Sequence, residues 1–258
     1  MKRLIILSFL LCATPALASS SAWHQAEGGQ VRLVTVGEPD AQGRLRGLLD
    51  IRLDPGWKTY WRDPGDVGVP PTLDLGGHGS AELLFPAPEW HHDGAYDWAG
   101  YASSVALPVT LRLTDPAGSG PITATAFLGL CETVCIPLKA EFVLDPASDP
   151  DNPGDSLAVL AAETGLPDAA SADFGVTAIR IEDERAIFDI SGPVGKDAEL
   201  FVAGSEGFAF SRPEPTLENG KLIFTSKVKS YLKAKPEDAA IQYTLKTAGK
   251  SVSGKLPF

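Results

Sequence analysis

Hydrophobic and polar residues alternate along much of the chain from residue 31 onward, with the period of two that is typical of half-buried β-strands. Leu49, Ile51 and Leu53, for example, alternate with Asp50 and Arg52. Runs of this kind, bounded by Gly, Pro or Asp, predict strands at residues 31–36, 45–53, 71–75, 81–85, 105–113, 122–128 and 137–144. Seven short strands within roughly 120 residues favour a two-sheet sandwich of the immunoglobulin type.

A segment rich in Pro and Asp, residues 145–155, interrupts this pattern and predicts a linker. We expect a short helix at residues 157–163, with Asp155 as its N-cap. Strands are predicted again at residues 176–181, 186–190, 199–202, 222–225, 241–245 and 251–256. The predicted fold class is therefore all-β, with an immunoglobulin-like β-sandwich at residues 19–145, a linker with a short helix at 146–172, and a second, smaller β domain at 173–258.

Four lysines of the second domain share one parity and would lie on one face of a strand: Lys227, Lys229, Lys233 and Lys235. One interpretation is a solvated edge strand whose charges resist aggregation. The other is a docking surface for an acidic partner.

The N-terminus has the three parts of a secretory signal peptide. Lys2 and Arg3 precede an apolar run at residues 4–12, and Ala16-Leu17-Ala18 is a small-x-small cleavage signature. The apolar run is shorter than the roughly 20 residues that span a bilayer. We therefore expect a signal peptide at residues 1–18, cleavage after Ala18, and an exported chain without a membrane span.

Composition and motifs exclude several classes of function. The chain has 33 acidic and 22 basic residues, for a net charge of −11, whereas a general nucleic-acid binder needs a basic surface. It has no Gly-x-Ser-x-Gly elbow, no Gly-rich phosphate loop and no His-Glu-x-x-His motif. We expect no cofactor and no nucleic-acid partner.

The cysteines carry the most informative chemistry. Without the predicted signal peptide only Cys131 and Cys135 remain. An extended chain would separate their Cα atoms by roughly 13 Å, whereas a disulfide needs about 4.4–6.8 Å, so a bonded pair requires a turn between them. Oxidation of two such close cysteines is expected in an exported protein.

Three interpretations of the pair remain open from the residues alone. The first is a redox-active dithiol that exchanges disulfides with other proteins. The second is a structural staple, which would stabilise weakly because the loop is short, by roughly 2 kcal/mol. The third is a site for a soft metal ion, with His24, His78, His91 and His92 as further candidate ligands. No histidine lies near the two cysteines in sequence, and we expect the adjacent residues His91 and His92 to be solvated in a loop.

Three ordered motifs give the chain a family resemblance. They are the segment Gly-Trp-Lys-Thr-Tyr-Trp-Arg-Asp-Pro-Gly-Asp at residues 56–66, Leu-Pro-Val at 107–109, and Cys-x-x-x-Cys-Ile-Pro at 131–137. In this order they resemble the N-terminal periplasmic domain of the thiol:disulfide interchange protein DsbD, and especially of its relative ScsB. The resemblance covers roughly residues 25–145.

The resemblance implies an immunoglobulin-like domain whose Cys131 and Cys135 exchange disulfides directly, with Cys135 as the cysteine that is joined to partners. It also implies a cap over the pair within residues 91–101, called the cap segment, with Asp93, Tyr96, Trp98 and Tyr101 as candidates and Tyr60 as a nearby aromatic residue. The implied partners are a thioredoxin-like protein or domain as electron donor, and a periplasmic disulfide isomerase or other thiol protein as acceptor. The alternative is a non-enzymatic periplasmic binding module whose disulfide is only structural. Copper is one candidate for what such a module would bind.

Overall fold

The structure is a computed structural model that describes residues 18–115, 120–195, 197–205, 207–230 and 239–257. Most of the predicted signal peptide, residues 1–17, lies outside the described residues, as do Lys233 and Lys235.

The described part of the chain is built almost entirely of strands, which confirms the all-β prediction. The strands before the helix are β1 (His24–Ala26), β2 (Gly29–Val36), β3 (Arg44–Leu53), β4 (Thr59–Gly65), β5 (Thr72–Asp74), β6 (Gly79–Leu83), β7 (Glu89–Asp93), β8 (Tyr96–Tyr101), β9 (Val105–Leu113), β10 (Ile122–Cys131) and β11 (Cys135–Leu144). A short 3-10 helix, Gly76–His78, lies between β5 and β6, and α1 (Pro153–Thr164) follows β11. The later strands are β12 (Asp168–Ala169), β13 (Gly175–Glu182), β14 (Arg185–Ser191), β15 (Glu199–Gly204), β16 (Phe208–Phe210), β17 (Glu214–Glu218), β18 (Lys221–Ser230), β19 (Ala240–Thr247) and β20 (Lys250–Pro257).

Strands β1–β11 form the first β unit. One sheet has the order β1-β2-β3-β9-β6 and a second has the order β11-β10-β5. Alternate residues of both sheets point inward, among them Leu33, Leu49 and Leu107 from the first sheet and Leu128 and Phe142 from the second, and they meet in one hydrophobic cluster. The strand alternation seen in the sequence therefore builds a sandwich.

A third, small sheet with the order β4-β8-β7 extends the first unit. Sequence patterning did not predict these strands. We call the antiparallel pair β7–β8 the cap hairpin, since it contains the predicted cap segment.

Strands β12–β20 form the second β unit, with sheets of order β12-β20-β19-β15 and β13-β14-β18-β16, and with β17 also paired to β18. This unit has a hydrophobic cluster of its own, centred on Phe188, Leu200, Phe224 and Ile241. Lys227 and Lys229 are exposed, as predicted. The prediction that they lie on an edge strand is wrong, because β18 pairs with β14 on one side and with β16 and β17 on the other. The exact domain boundaries stay a prediction.

The helix lies where the sequence predicts one, but its cap is a different residue. The side chain of Asn152, not of Asp155, accepts hydrogen bonds from the backbone N–H groups of Gly154 and Asp155, at 3.0 Å each. Asp155 instead lies in the first turn and accepts a hydrogen bond from the hydroxyl of Ser20. Val159 then packs the helix against β2 and β3. None of the described helices is long and apolar enough to cross a membrane.

Candidate redox site

The two cysteines face each other across a tight hairpin. Cys131 ends β10 and Cys135 begins β11, the two residues are directly paired in the antiparallel register, and they form a disulfide with a Cα–Cα distance of 4.1 Å. The turn that the spacing requires is therefore confirmed. Cys131 is only 1% exposed, whereas Cys135 is an exposed residue, so the two ends of the bond differ in their access to solvent.

Tyr60 of β4 contacts both sulfur atoms. Its hydroxyl lies 3.0 Å from Sγ of Cys131 and 3.1 Å from Sγ of Cys135. The side chain is buried, and this burial together with the negative charge of Asp93 raises the pKa of the Tyr60 phenol. The phenol therefore keeps its proton at neutral pH and is a hydrogen-bond donor toward sulfur.

Backbone contacts fix Tyr60 in this place. The N–H of Lys58 donates to the carbonyl of Cys131 at 2.8 Å, and the N–H of Cys131 donates back to the carbonyl of Lys58 at 3.0 Å. The Tyr60 ring fills the space left by Gly68, where a Cβ atom would lie 2.5 Å from the ring and the φ angle is +121°. The start of β4 is thus bound to the end of β10, with the phenol directed at the disulfide.

Trp98 of the cap hairpin covers the buried end of the disulfide. It is 3% exposed and forms one cluster with Tyr60 and Cys131, against which Val67 packs. Its ring meets that of Tyr60 edge to face, with 5.7 Å between centroids, and the ring of His91 stacks on it at 4.0 Å. Cys131 therefore lies beneath aromatic side chains.

Asp93 and Lys58 connect the tip of the cap hairpin to the residue directly before β4. The indole Nε1 of Trp98 donates to Asp93 Oδ2 at 3.0 Å, and Lys58 forms an ion pair with the same carboxylate oxygen. The hydrogen bond from Lys58 holds the pKa of Asp93 below its usual range. The ammonium of Lys58 also lies 4.5 Å from the Trp98 ring centroid, in a cation–π contact.

The structure brings Tyr60, Asp93 and Trp98 together at the cysteines, but it places the other two cap candidates elsewhere. Tyr96 is 53% exposed, at the tip of the cap hairpin. Tyr101 packs in the sandwich cluster, where its hydroxyl donates to the carbonyl of Pro86 at 2.9 Å. Their assignment to the cap stays a prediction.

Two residues near the site have roles that the sequence did not reveal. His91 lies in β7 and not in a solvated loop, and its Nε2 atom is buried without a hydrogen-bond partner in the described structure; this burial lowers the pKa of its imidazole. Lys58 contributes both the ion pair and the backbone bridge. Its position two residues before Tyr60 in a strand-forming segment was the available signal, since residues i and i+2 share a face.

An open groove of about 540 Å³ runs beside the hairpin turn. It is lined by Gly56, Trp57, Lys58, Asp93, Trp98, Ala102, Glu132 and Thr133. Glu132 and Thr133 lie between the two cysteines in sequence, so a protein segment bound in this groove would lie next to the disulfide. Within the described ranges, no group of three or more His, Cys, Asp or Glu side chains is placed to hold a metal ion.

Comparison with known proteins agrees with this geometry. The N-terminal periplasmic domain of ScsB from Proteus mirabilis superposes on the chain with a TM-score of 0.74, at 20% sequence identity, over 93% of this chain and 99% of that one. At this identity the likeness establishes the fold, an immunoglobulin-like one. No curated protein matches the sequence. Residues 30–147, the segment that holds Tyr60, the cap hairpin and both cysteines, match the family described as thiol:disulfide interchange protein DsbD, N-terminal.

Proposed function

We propose that the chain is a periplasmic thiol–disulfide exchange module, which relays reducing equivalents through Cys131 and Cys135 between a thioredoxin-like donor and periplasmic thiol proteins. The observation that carries this proposal is the Tyr60 hydroxyl within hydrogen-bond distance of both sulfurs. A disulfide that only joins two strands has no use for a buried donor. A thiolate released inside an apolar cluster needs one, because an uncompensated buried charge is costly.

The first half of the relay reduces the disulfide. A thiolate of the donor attacks Sγ of Cys135, the S–S bond breaks, and Cys131 leaves as a thiolate that accepts a hydrogen bond from Tyr60. The second thiol of the donor then attacks the donor sulfur that is joined to Cys135. This closes the disulfide of the donor and releases the Cys135 thiol. The donor dithiol is oxidised to a disulfide, and Cys131 and Cys135 gain two electrons and two protons.

The second half passes these electrons on. The Cys135 thiolate attacks the disulfide of an acceptor protein and forms a mixed disulfide, with one acceptor thiolate as the leaving group. Cys131 then attacks Cys135, which re-forms the internal disulfide and releases the reduced acceptor. The exposure of Cys135 and the burial of Cys131 support these separate roles, since exchange requires access to the attacked sulfur.

The groove beside residues 132 and 133 is the proposed contact surface for both partners. Its charged members are Lys58, Asp93 and Glu132. Substituting Glu132 by Gln removes one carboxylate at an exposed position that lies beside the sulfurs but does not contact them, and it therefore tests partner docking separately from the chemistry.

Reduced thioredoxin is a suitable probe for the experiment. We expect oxidised protein to be reduced by it. In the Cys131→Ser variant the remaining thiol is first converted with dithiobis(nitrobenzoate) into a mixed disulfide with thionitrobenzoate. A thioredoxin that lacks its second active-site cysteine should then displace thionitrobenzoate and form a stable mixed disulfide with Cys135. The Cys135→Ser variant is the matched control and should form little. Absence of exchange in both assays would contradict the proposal and favour the alternative of a binding module with a structural disulfide.

Export to the periplasm is part of the same proposal. The carbonyl of Ser19 accepts a hydrogen bond from the N–H of Thr35 at 3.0 Å, and Ser19 and Ser21 are buried against β2, so the folded part begins directly after the predicted cleavage site. Mass spectrometry of protein from the periplasm should find Ser19 as the first residue. A mature chain that begins at Met1 would overturn this assignment.

A further inference from the structure

The small sheet has two faces, and each face packs against a different part of the molecule. Tyr60 and its neighbour Trp61 point to opposite sides of β4, as strand geometry requires. Tyr60 packs on the disulfide, whereas Trp61 meets Phe201 of the second β unit edge to face, with 6.0 Å between ring centroids. The small sheet therefore lies between the redox site and the second unit.

The cap hairpin repeats this division. His91 is paired with Trp98 across the hairpin, and both lie on the face toward the disulfide. Trp90 is paired with Ala99 and lies on the opposite face, where its ring stacks on Phe201 with 5.2 Å between centroids and 9° between planes. Phe201 is completely buried and belongs to the sandwich cluster of the first unit although it lies in β15 of the second.

Polar contacts of the second unit reach the same hairpin. The indole Nε1 of Trp90 donates to the carbonyl of Leu200 at 3.2 Å. Arg212 lies 3.7 Å from a carboxylate oxygen of Asp97 and 5.5 Å from the Trp90 ring centroid. Asp97 directly precedes Trp98, the residue that covers Cys131.

A further ion pair holds the loop after β4. Lys229 of β18 lies 2.9 Å from Asp66, and the next residue, Val67, packs on the cluster of Tyr60, Trp98 and Cys131. The second unit thus contacts the small sheet at the hairpin, in β4 and in the loop that follows β4.

We infer that the second β unit is a brace, which holds the cap hairpin on Cys131 through Phe201 and Arg212 as positioning residues and so directs attack to Cys135. The cap hairpin cannot move away from Tyr60 unless the Trp90–Phe201 stack and the Arg212–Asp97 pair separate. The inference that the brace directs attack to Cys135 rests on the proposed function. The contacts that hold the cap hairpin do not depend on it.

Thiol labelling tests the brace without any redox partner. In a Cys135→Ser background, the rate at which iodoacetamide alkylates Cys131 reports how often the cap opens. We expect Phe201→Leu to raise this rate about three- to tenfold, as the loss of an aromatic pair allows, and Arg212→Gln to raise it about two- to threefold. Rates are compared as pH profiles, because a changed thiol pKa moves the profile along the pH axis whereas changed access moves its plateau.

Two controls make the result specific. Arg180→Gln removes an arginine of the second unit that pairs with Asp189 and Glu218, within that unit, and it should leave Cys131 labelling unchanged. In a Cys131→Ser background, neither interface variant should change the labelling of Cys135. Circular dichroism and the unfolding midpoint verify the fold, and hydrogen exchange of the β7 and β8 amides should accelerate in the interface variants only.

The inference is overturned if folded Phe201→Leu and Arg212→Gln label Cys131 at the rate of Arg180→Gln. It is also overturned if Cys131 in the Cys135→Ser variant and Cys135 in the Cys131→Ser variant label equally fast with no further substitution. Cys131 would then have no cover. The proposed function fails separately, if thioredoxin does not reduce the disulfide, and labelling does not depend on that outcome.

Discussion

The phenolic oxygen of Tyr60 lies 3.0 Å from Sγ of Cys131, and both residues are only 1% exposed. Water cannot readily solvate a charge at this position, so the Tyr60 hydroxyl is the group placed to stabilise a Cys131 thiolate. A hydrogen bond to a charged group is worth about 1.5–3 kcal/mol. In the proposed reaction Cys131, a buried residue, supplies the leaving sulfur, and Cys135, an exposed residue, supplies the attacked one.

The first prediction concerns the hydroxyl of Tyr60. Tyr60→Phe removes the hydrogen bond to the leaving thiolate but keeps the ring, so reduction of the disulfide by glutathione should slow about tenfold or more. Tyr101→Phe is the matched control, since it deletes a buried hydroxyl that donates to Pro86 and not to sulfur. Equal rates for the two variants would show that Tyr60 does not assist the reaction.

The second prediction concerns the aromatic cover. Trp98→Ala should accelerate alkylation of the lone Cys131 thiol in a Cys135→Ser background, because Trp98 packs on Cys131 in a closed cluster. Tyr96→Ala should leave the rate within about twofold, since a side chain that is 53% exposed blocks little. A faster rate in Tyr96→Ala alone would place the cover at the tip of the hairpin instead.

The third prediction concerns stability. The disulfide closes only a five-residue loop between the end of β10 and the start of β11. These two strands are already paired continuously, from Ile122 opposite Leu144 to Cys131 opposite Cys135. The Cys131→Ser/Cys135→Ser double variant should therefore lose no more than about 2 kcal/mol of unfolding free energy. Urea titration measures this loss, and a much larger value would favour a structural staple.

The fourth prediction concerns pH. Burial raises the pKa of Asp63 to about 6, although the N–H of Gly65 and the charge of Lys229 oppose the shift. In the unfolded chain this carboxyl titrates near pH 4, so its contribution to stability is complete below about pH 4 and is lost as the pH rises through about 6.

Asp63→Asn should remove this contribution. The unfolding free energy of the unchanged protein relative to the variant should fall by up to about 3 kcal/mol between pH 4 and pH 7. Asp151→Asn, at an exposed position, controls for the loss of one carboxylate. A relative stability that does not change with pH would mean that Asp63 is not protonated in the folded state at pH 5.

Much of the sandwich could be predicted from sequence because one face of each strand is buried. The prediction at residues 45–53 agrees within one residue with β3, and that at 105–113 coincides with β9. The turn between the cysteines followed from their spacing. These features depend on local periodicity and chain geometry alone.

The small sheet could not be predicted in this way, for a physical reason. Tyr60 and Trp61 are neighbours that are both buried, one against the disulfide and one against the second unit. A strand that is covered on both faces has no apolar–polar alternation. The partners of β18, which decide that Lys227 and Lys229 are not on an edge, likewise depend on contacts that parity does not specify.

The helix cap, by contrast, was available in the sequence. Asn152 precedes Pro153, and the combination of an Asn N-cap with Pro at the first helical position is a favoured helix start. The prediction of Asp155 failed because it began the helix at the first apolar residues and not at this signal.

The reduction potential of the Cys131–Cys135 pair tests the central claim most directly. The protein is equilibrated with glutathione and dithiothreitol redox buffers, and the fraction of reduced protein is read from alkylated masses. The account predicts a potential in the range of exchange proteins, about −120 to −270 mV. A value below about −300 mV, typical of structural disulfides, would contradict it.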